Sequence, residues 1–338
     1  MQANANKLPV FHFKNRVITH GDPTLVCGIV NVTPDSFSDG GKWFGKEEAF
    51  NRAMTLIKEG CQMIDIGGES TRPGSTYVEV EEEIARVVPV IKALRAASDV
   101  IISVDTWKSQ VAAAAIEAGA DIINDITGLL GDPRMASVIA PTQAGAIVMV
   151  NPVIVRPDHP SAKVFPKFGA EGVFSSEELA NFAQMDPVSL MEKYFEKSLA
   201  YAEAAGLSGD RLMLDPGIGF GLTKRENYLL IKQAQKIHSW GYTCFLGVSR
   251  KRFIQNTLAE AGYNTDVQTD QGFVLRDQAS SALTAVAASM GIEAVRVHVG
   301  HDHVVAALIG SQIRQAEGLE DTNFAAYPLE KEVIHVQN

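Results

Sequence analysis

The chain has 338 residues, 46% apolar and 21% charged, with Lys+Arg 30 against Asp+Glu 40 for a net charge of −10. This is globular composition, sized for two domains or one large α/β barrel, and it excludes a disordered or fibrous chain. The acidic balance argues against nucleic-acid or membrane partners, which call for a basic face, yet a few local cations suffice to hold a small anion.

In chain order, residues 9–20 (PVFHFKNRVITH) read as a short N-terminal hairpin closing the bottom of the unit that follows. Short apolar runs then end in polar residues: LVCGIVN at Asn31, CQMID at Asp65, VIISVD at Asp105 and ADIIND at Asn124. The series continues with AIVMVN at Asn151, RLMLD at Asp215, TCFLGVS at Ser249 and IEAVRVH at Arg296 and His298. Several runs are entered through a Gly that closes a helix, as an αβ connection requires. Fully apolar short strands belong to a parallel sheet covered on both faces. Eight such strands, each polar-tipped at its C-terminal end, predict an α/β fold with a single (β/α)8 barrel. An open doubly wound sheet would gather its polar residues at one crevice.

Three connections exceed barrel norms: Thr33–Gly45, Gly67–Tyr77 and Asn151–Met185, the βα loops 1, 2 and 5. Loops of that length are usually lids or insertions. The domain reading is an extension over 1–20, the barrel over 21–318 and a mobile tail over 319–338. Cys27, Cys61 and Cys244 lack metal-ligand spacing and read as buried free thiols of a reducing compartment. The N-terminus has no apolar signal segment and no run is long enough to span a bilayer, so a cytoplasmic protein is expected.

The strand tips carry the chemistry. Asp105, Asn124, Asp215 and Lys251 offer two carboxylates, an amide and an ammonium, suited to the guanidine-like edge of a flat heterocycle. Thr71, Arg72, Arg296 and His298 form an anion clamp suited to diphosphate, and Asn31 and Asp39 offer hard oxygens to Mg²⁺. The whole reads as a pocket for a heteroaromatic ring carrying a diphosphate. Asp302 reads as a helix N-cap. His298, His301 and His303 do not match a usual zinc spacing.

The ordered runs NVTPDSFSDGG, IDIGGESTRPGS, SVDT, INDITG, LDPGIGFG, SRK and RVH resemble the dihydropteroate synthase family over roughly residues 24–315. The resemblance implies a TIM barrel and a transferase of folate biosynthesis that releases diphosphate as it joins a hydroxymethyl-dihydropterin to 4-aminobenzoate. It implies a pterin pocket of Asp105, Asn124, Asp215 and Lys251, with Met149 packing on the ring. Asn31, Arg296 and His298, helped by Thr71 and Arg72, would serve the diphosphate and Mg²⁺, and Phe37, Asp39, Pro73 and Phe220 the aminobenzoate. Asp105, Asp215, Lys251, Arg296 and His298 would carry catalysis. A homodimer through the last helices (Ala306, Ala307, Leu308, Ile309) is expected, with small-molecule substrates as partners.

Two departures from the family pattern stand out. Arg252 follows SRK where the family usually has Ser, which puts the aminobenzoate pocket and sulfonamide binding in question; Arg252 either lines the pocket or points outward. The fifth strand ends Val148-Met149-Val150-Asn151-Pro152, without the family's His. These leave a divergent paralogue, or a methyltransferase module that presents methyl-tetrahydrofolate, as the alternatives to a synthase.

Overall fold

The eight short runs are apolar at most positions and buried on both faces, so they pair with one another in parallel. In the computed structural model, which describes residues 8–32, 42–266 and 269–321, they close into a barrel. A hairpin comes first, β1 (Val10–Phe13) against β2 (Arg16–Thr19). The barrel then runs β3 (Leu25–Asn31), α1 (Lys42–Lys58), β4 (Met63–Gly67), α2 (Val80–Ala97), β5 (Ile101–Asp105) and α3 (Ser109–Ala118). It continues with β6 (Ile122–Asp125), α4 (Met135–Ile139), β7 (Gly145–Met149), α5 (Pro152–Val155), α6 (Ser176–Gln184) and α7 (Pro187–Ala204). The last elements are β8 (Leu212–Asp215), α8 (Lys224–Gln233), α9 (Lys236–Ser239), β9 (Thr243–Leu246), α10 (Arg252–Glu260), α11 (Asp270–Ser289), β10 (Ala294–Val297) and α12 (His301–Gln315). β10 pairs with both β3 and β9, which closes the ring.

The hairpin plugs the bottom. Phe11, Phe13 and Ile18 are buried against Cys27, Met63 and Met213 from the strand starts. Replacing either ring by Ala removes a large core side chain, at a cost of about 3–5 kcal/mol. With the bottom sealed by apolar packing, the polar strand tips are left at the opposite rim, where barrels assemble their sites.

Several expectations need correction. The fifth strand stops at Met149, and Asn151 is a buried cap: its Oδ1 accepts from Val153 N at 3.1 Å and its Nδ2 donates to Ile126 O at 3.1 Å. Loop 5 contains two helices, α5 and α6, the second opened by a capping box of Ser175 and Glu178. Asp302 does not cap α12; Gly300 holds that position and Asp302 lies in the first turn, where its charge still suits the helix dipole. Phe37 and Asp39 of loop 1, and the tail from 322 onward, lie outside the described residues.

Candidate active site

Strand register sets the first row of the site. Asn31 lies level with Gly67, Gly67 with Asp105, and Asp105 with Asn124. The bare Gly67 leaves room between its neighbours: a Cβ there would meet Asp105 Cβ at 3.5 Å and Asn31 Oδ1 at 3.7 Å.

Asp65 and Arg296 are 231 residues apart in sequence and meet inside the barrel. Arg296 Nε donates to Asp65 Oδ2 at 2.5 Å and its Nη2 to Asp105 Oδ2 at 2.8 Å. Asn124 Nδ2 also donates to Asp65 Oδ2, at 3.2 Å. Arg296 is thus held by Asp65 and by Asp105 of the expected ring-binding group. Asp65 Oδ1 is buried without a partner, a free acceptor facing its neighbours in the barrel interior. Burial pushes Asp105 up to about 7, although Arg296 pulls it down. The paired carboxylates hold Arg296 above its ordinary range despite burial.

Asp215, at the tip of β8, is pushed up to about 6 by burial, against the pull of the Gly217 N–H, which donates to its Oδ1 at 2.8 Å. This turn demands glycine. Gly217 has φ +79°, and a Cβ there would lie 2.0 Å from Val150 O. At Gly219, φ +90°, a Cβ would strike Lys251 Cδ at 2.7 Å, so the glycine is what lets the lysine lie across the mouth. Burial brings Lys251 down to about 8, with Asp215 opposing, and its Nζ sits 5.0 Å from the centre of the Phe220 ring.

Arg250 and Lys251 are adjacent cations with opposite fates. Arg250 adopts φ +55° and turns away to a forked pair with Asp277 at 2.6 and 2.7 Å. Its N–H donates to Ser280 Oγ at 3.0 Å and its carbonyl accepts from Arg276 at 2.9 Å. A non-glycine residue in that conformation costs roughly 1–2 kcal/mol; these bonds hold it there, and the kink sends Lys251 into the mouth. Arg250 is thus scaffold, although it stands beside Lys251 in the SRK run.

His298 is not a cation either. Burial, then Arg250, Arg296 and Arg72, hold it well below the ordinary histidine value. Ser249 Oγ accepts the His298 N–H at 3.2 Å and lies 2.9 Å from its Nδ1. When the serine O–H donates to Nδ1, the neutral imidazole carries its proton on Nε2 and donates from there. His303 is buried against Thr284 and His301 is exposed beside Asp302, so these histidines do not converge on a metal.

Loop 2, with Thr71 half-buried and Arg72 and Pro73 exposed, is tied down by residues that the strand-tip pattern does not reveal. Lys108 Nζ donates to Glu69 Oε2 at 2.8 Å, Glu83 Oε2 at 2.6 Å and Val78 O at 2.5 Å. Trp107 Nε1 donates to Glu69 Oε1 at 2.8 Å. Loop 5 adds a wall: Gly74 N donates to Val164 O at 3.2 Å and Phe165 stacks on Phe220 with centroids 5.6 Å apart. Met149, Val153, Ala162 and Phe168 pack behind it. Arg252 is exposed at the first position of α10, so the cation stands at a helix start.

A family model described as pterin binding enzyme matches residues 27–298. The chain belongs to this family. A dihydropteroate synthase of Bacillus subtilis (strain 168) is 37% identical over 297 residues, covering 88% of this chain and 91% of that protein. Two crystal structures of dihydropteroate synthases, from Clostridium difficile with pteroic acid and Xanthomonas albilineans with 4-aminobenzoic acid, each superpose with TM-score 0.72 at 33% identity. They cover 87% and 90% of this chain, which itself spans 98% of each. Within the family match, Asp65, Ser249, Lys108, Glu69 and Phe165 are the neighbours of the site that reading the strand tips alone left unused.

Proposed function

We propose that the chain is a dihydropteroate synthase, joining 6-hydroxymethyl-7,8-dihydropterin diphosphate to 4-aminobenzoate and releasing diphosphate. The observation that carries this reading is the convergence of Asp105, Asn124, Asp215 and Arg296 from four strands, and of Lys251 from the start of α10, on one mouth, beside the donors Arg72 and His298. Asp215 accepts the paired N–H groups of the pterin edge, while Asn124 and Lys251 meet its ring carbonyl and nitrogen, with Met149 against the ring. Lys251, at about 8, is still mostly cationic at pH 7.

The methylene–oxygen bond to diphosphate breaks first, because the conjugated ring delocalises the positive charge left on the methylene. Asp105 and Asp215 stabilise that charge, and Arg72, Thr71, Arg296 and the Nε2–H of His298 receive the diphosphate. Asn31 fits Mg²⁺: it is a hard oxygen donor beside the space that Gly67 leaves open, and Asp39 would be its second protein ligand. When bound, the ion neutralises charge on the leaving diphosphate. The aryl amine then forms the new C–N bond and loses its proton to solvent; being nucleophilic already, it requires no strong base. Phe165, Phe220 and Pro73, with Phe37 from loop 1, exclude water that would capture the cation. Arg252 and the free N–H groups at the start of α10 hold the aminobenzoate carboxylate.

Val305, Leu308, Ile309 and Ile313 form an exposed stripe on α12, 49–64% accessible, which supports a homodimer through this helix. Three free buried cysteines fit a reducing cytoplasm, and among the described residues no helix is long and apolar enough to cross a membrane. Titration with diphosphate and Mg²⁺ in the presence of a pterin separates the synthase from a methyltransferase module. A ternary complex is expected, and its absence would sink the reading.

A further inference from the structure

At the sealed end of the barrel, far from the mouth, three residues converge from three elements. His20 follows β2, His238 lies in α9, and Glu293 immediately precedes β10. Their candidate ligand atoms all lie within 4.8 Å of one another. His20 Nδ1 is 2.6 Å from Glu293 Oε1, and His238 Nε2 is 3.1 Å from Oε2. The two imidazoles sit side by side with centroids 4.1 Å apart.

We propose that His20, His238 and Glu293 form a binding site for a first-row divalent cation, Zn²⁺ by preference, that fastens the bottom hairpin to the barrel. Two imidazoles and one carboxylate are a recurrent three-ligand zinc set, with the fourth position left to water. Imidazole donors select this class of ion over Mg²⁺, which takes oxygens. Tetrahedral bonds of about 2.0–2.1 Å put the ligand atoms about 3.3 Å apart, so the 3.1 Å contact of His238 already matches and the 2.6 Å contact of His20 must open by about 0.7 Å. A ring that holds the ion offers it the lone pair of one nitrogen and keeps its proton on the other.

The surroundings are built for an anion at this point. Glu293 is buried at 1% exposure, and its Oε2 is oriented by Cys244 N at 2.6 Å, a bond of the kind that fixes metal-ligating carboxylates. The backbone is fixed on both sides: His20 N donates to Pro9 O at 2.8 Å and Leu25 N to Glu293 O at 2.9 Å. Gly291 supplies space for the first ring, since a Cβ there would lie 3.2 Å from His20 Cε1. The histidine side chains remain 27% and 12% exposed, which gives an ion a path from solvent.

The test uses the full chain, stripped with a chelator and titrated with Zn²⁺ and Co²⁺. One equivalent of Zn²⁺ should bind and raise the melting temperature, and Co²⁺ should give the intense visible bands of a four-coordinate ion. His20→Ala and His238→Ala should each weaken binding at least tenfold while leaving pterin binding unchanged. Glu293→Gln, which keeps an acceptor for Cys244, covers the case in which a histidine variant fails to fold. No stoichiometric Zn²⁺ binding by the parent chain would overturn the proposal, as would unchanged affinity in the His20→Ala/His238→Ala variant, which would locate the ion elsewhere.

Discussion

Lys108→Met removes the ammonium that ties loop 2 to the barrel. In the parent, Lys108 is 3% exposed and neutralises Glu69 and Glu83, themselves 8% and 1% exposed. Burial pulls its ammonium down, but Glu83 and Glu69 outweigh this and hold it above the ordinary lysine value. Methionine fills the space and leaves both carboxylates without their cation. Removing one partner of a buried ion pair costs about 3–5 kcal/mol. For a chain this long, at about 2 °C per kcal/mol, the melting temperature should fall by about 6–10 °C at pH 7. The sign with pH follows from Glu83, which burial already raises above its ordinary 4.5 despite Lys108. A raised carboxylate costs stability above its unfolded value and nothing below it, so the variant's extra deficit is largest at pH 7 and shrinks toward pH 4.5. Because Thr71, Arg72 and Pro73 ride on this loop, KM for the pterin diphosphate should rise as well. Calorimetry at pH 7 and pH 5 decides: a fall of less than about 2 °C at pH 7, or an equal fall at both pH values, would refute the anchoring role.

Binding of a pterin should become tighter as pH rises toward 7, because Asp215 and Asp105, raised to about 6 and about 7, must be ionised to accept its N–H groups. Calorimetric titration at pH 6 in buffers of different ionisation heat should report proton release, and buffer-independent heats would contradict the assignment. Ser249→Ala takes away the hydroxyl that hydrogen-bonds both the backbone N–H and the Nδ1 of His298; a bond worth about 1–1.5 kcal/mol predicts a roughly tenfold rise in KM for the diphosphate substrate. Steady-state kinetics with an unchanged KM would return Ser249 to a packing role. Arg252→Ala should raise KM for 4-aminobenzoate several-fold and leave KM for the pterin substrate alone, whereas the reverse pattern would place Arg252 outside the aminobenzoate site.

The barrel was legible because its strands are short, mostly apolar and polar-tipped, and several are entered through Gly, so period and punctuation agree. Asp105, Asn124, Asp215 and Lys251 were legible for the same reason: they occupy or closely follow strand ends. The pairing among such residues was not. Arg296 meets Asp65 and Asp105 only because the closed barrel joins β10 to β3 and aligns β3, β4 and β5, and register does not show in any local stretch of sequence. Arg250 and Lys251 look alike in sequence; Asp277 on α11 and a left-handed backbone separate them. Lys108 lies past a strand tip, and nothing around it signals that Glu69 and Glu83 will enclose its ammonium. Phe165 sits in an irregular segment whose contact with Phe220 depends on how α5 turns loop 5 back over the mouth.

The central claim is a displacement of diphosphate by an aryl amine at this mouth, and diphosphate release measured with and without 4-aminobenzoate tests it most directly. Release from the hydroxymethyl-dihydropterin diphosphate should depend on Mg²⁺, accelerate with 4-aminobenzoate in step with dihydropteroate formation, and disappear in Asp105→Asn. Release that ignores 4-aminobenzoate, or that survives in Asp105→Asn at the parent rate, would contradict the account.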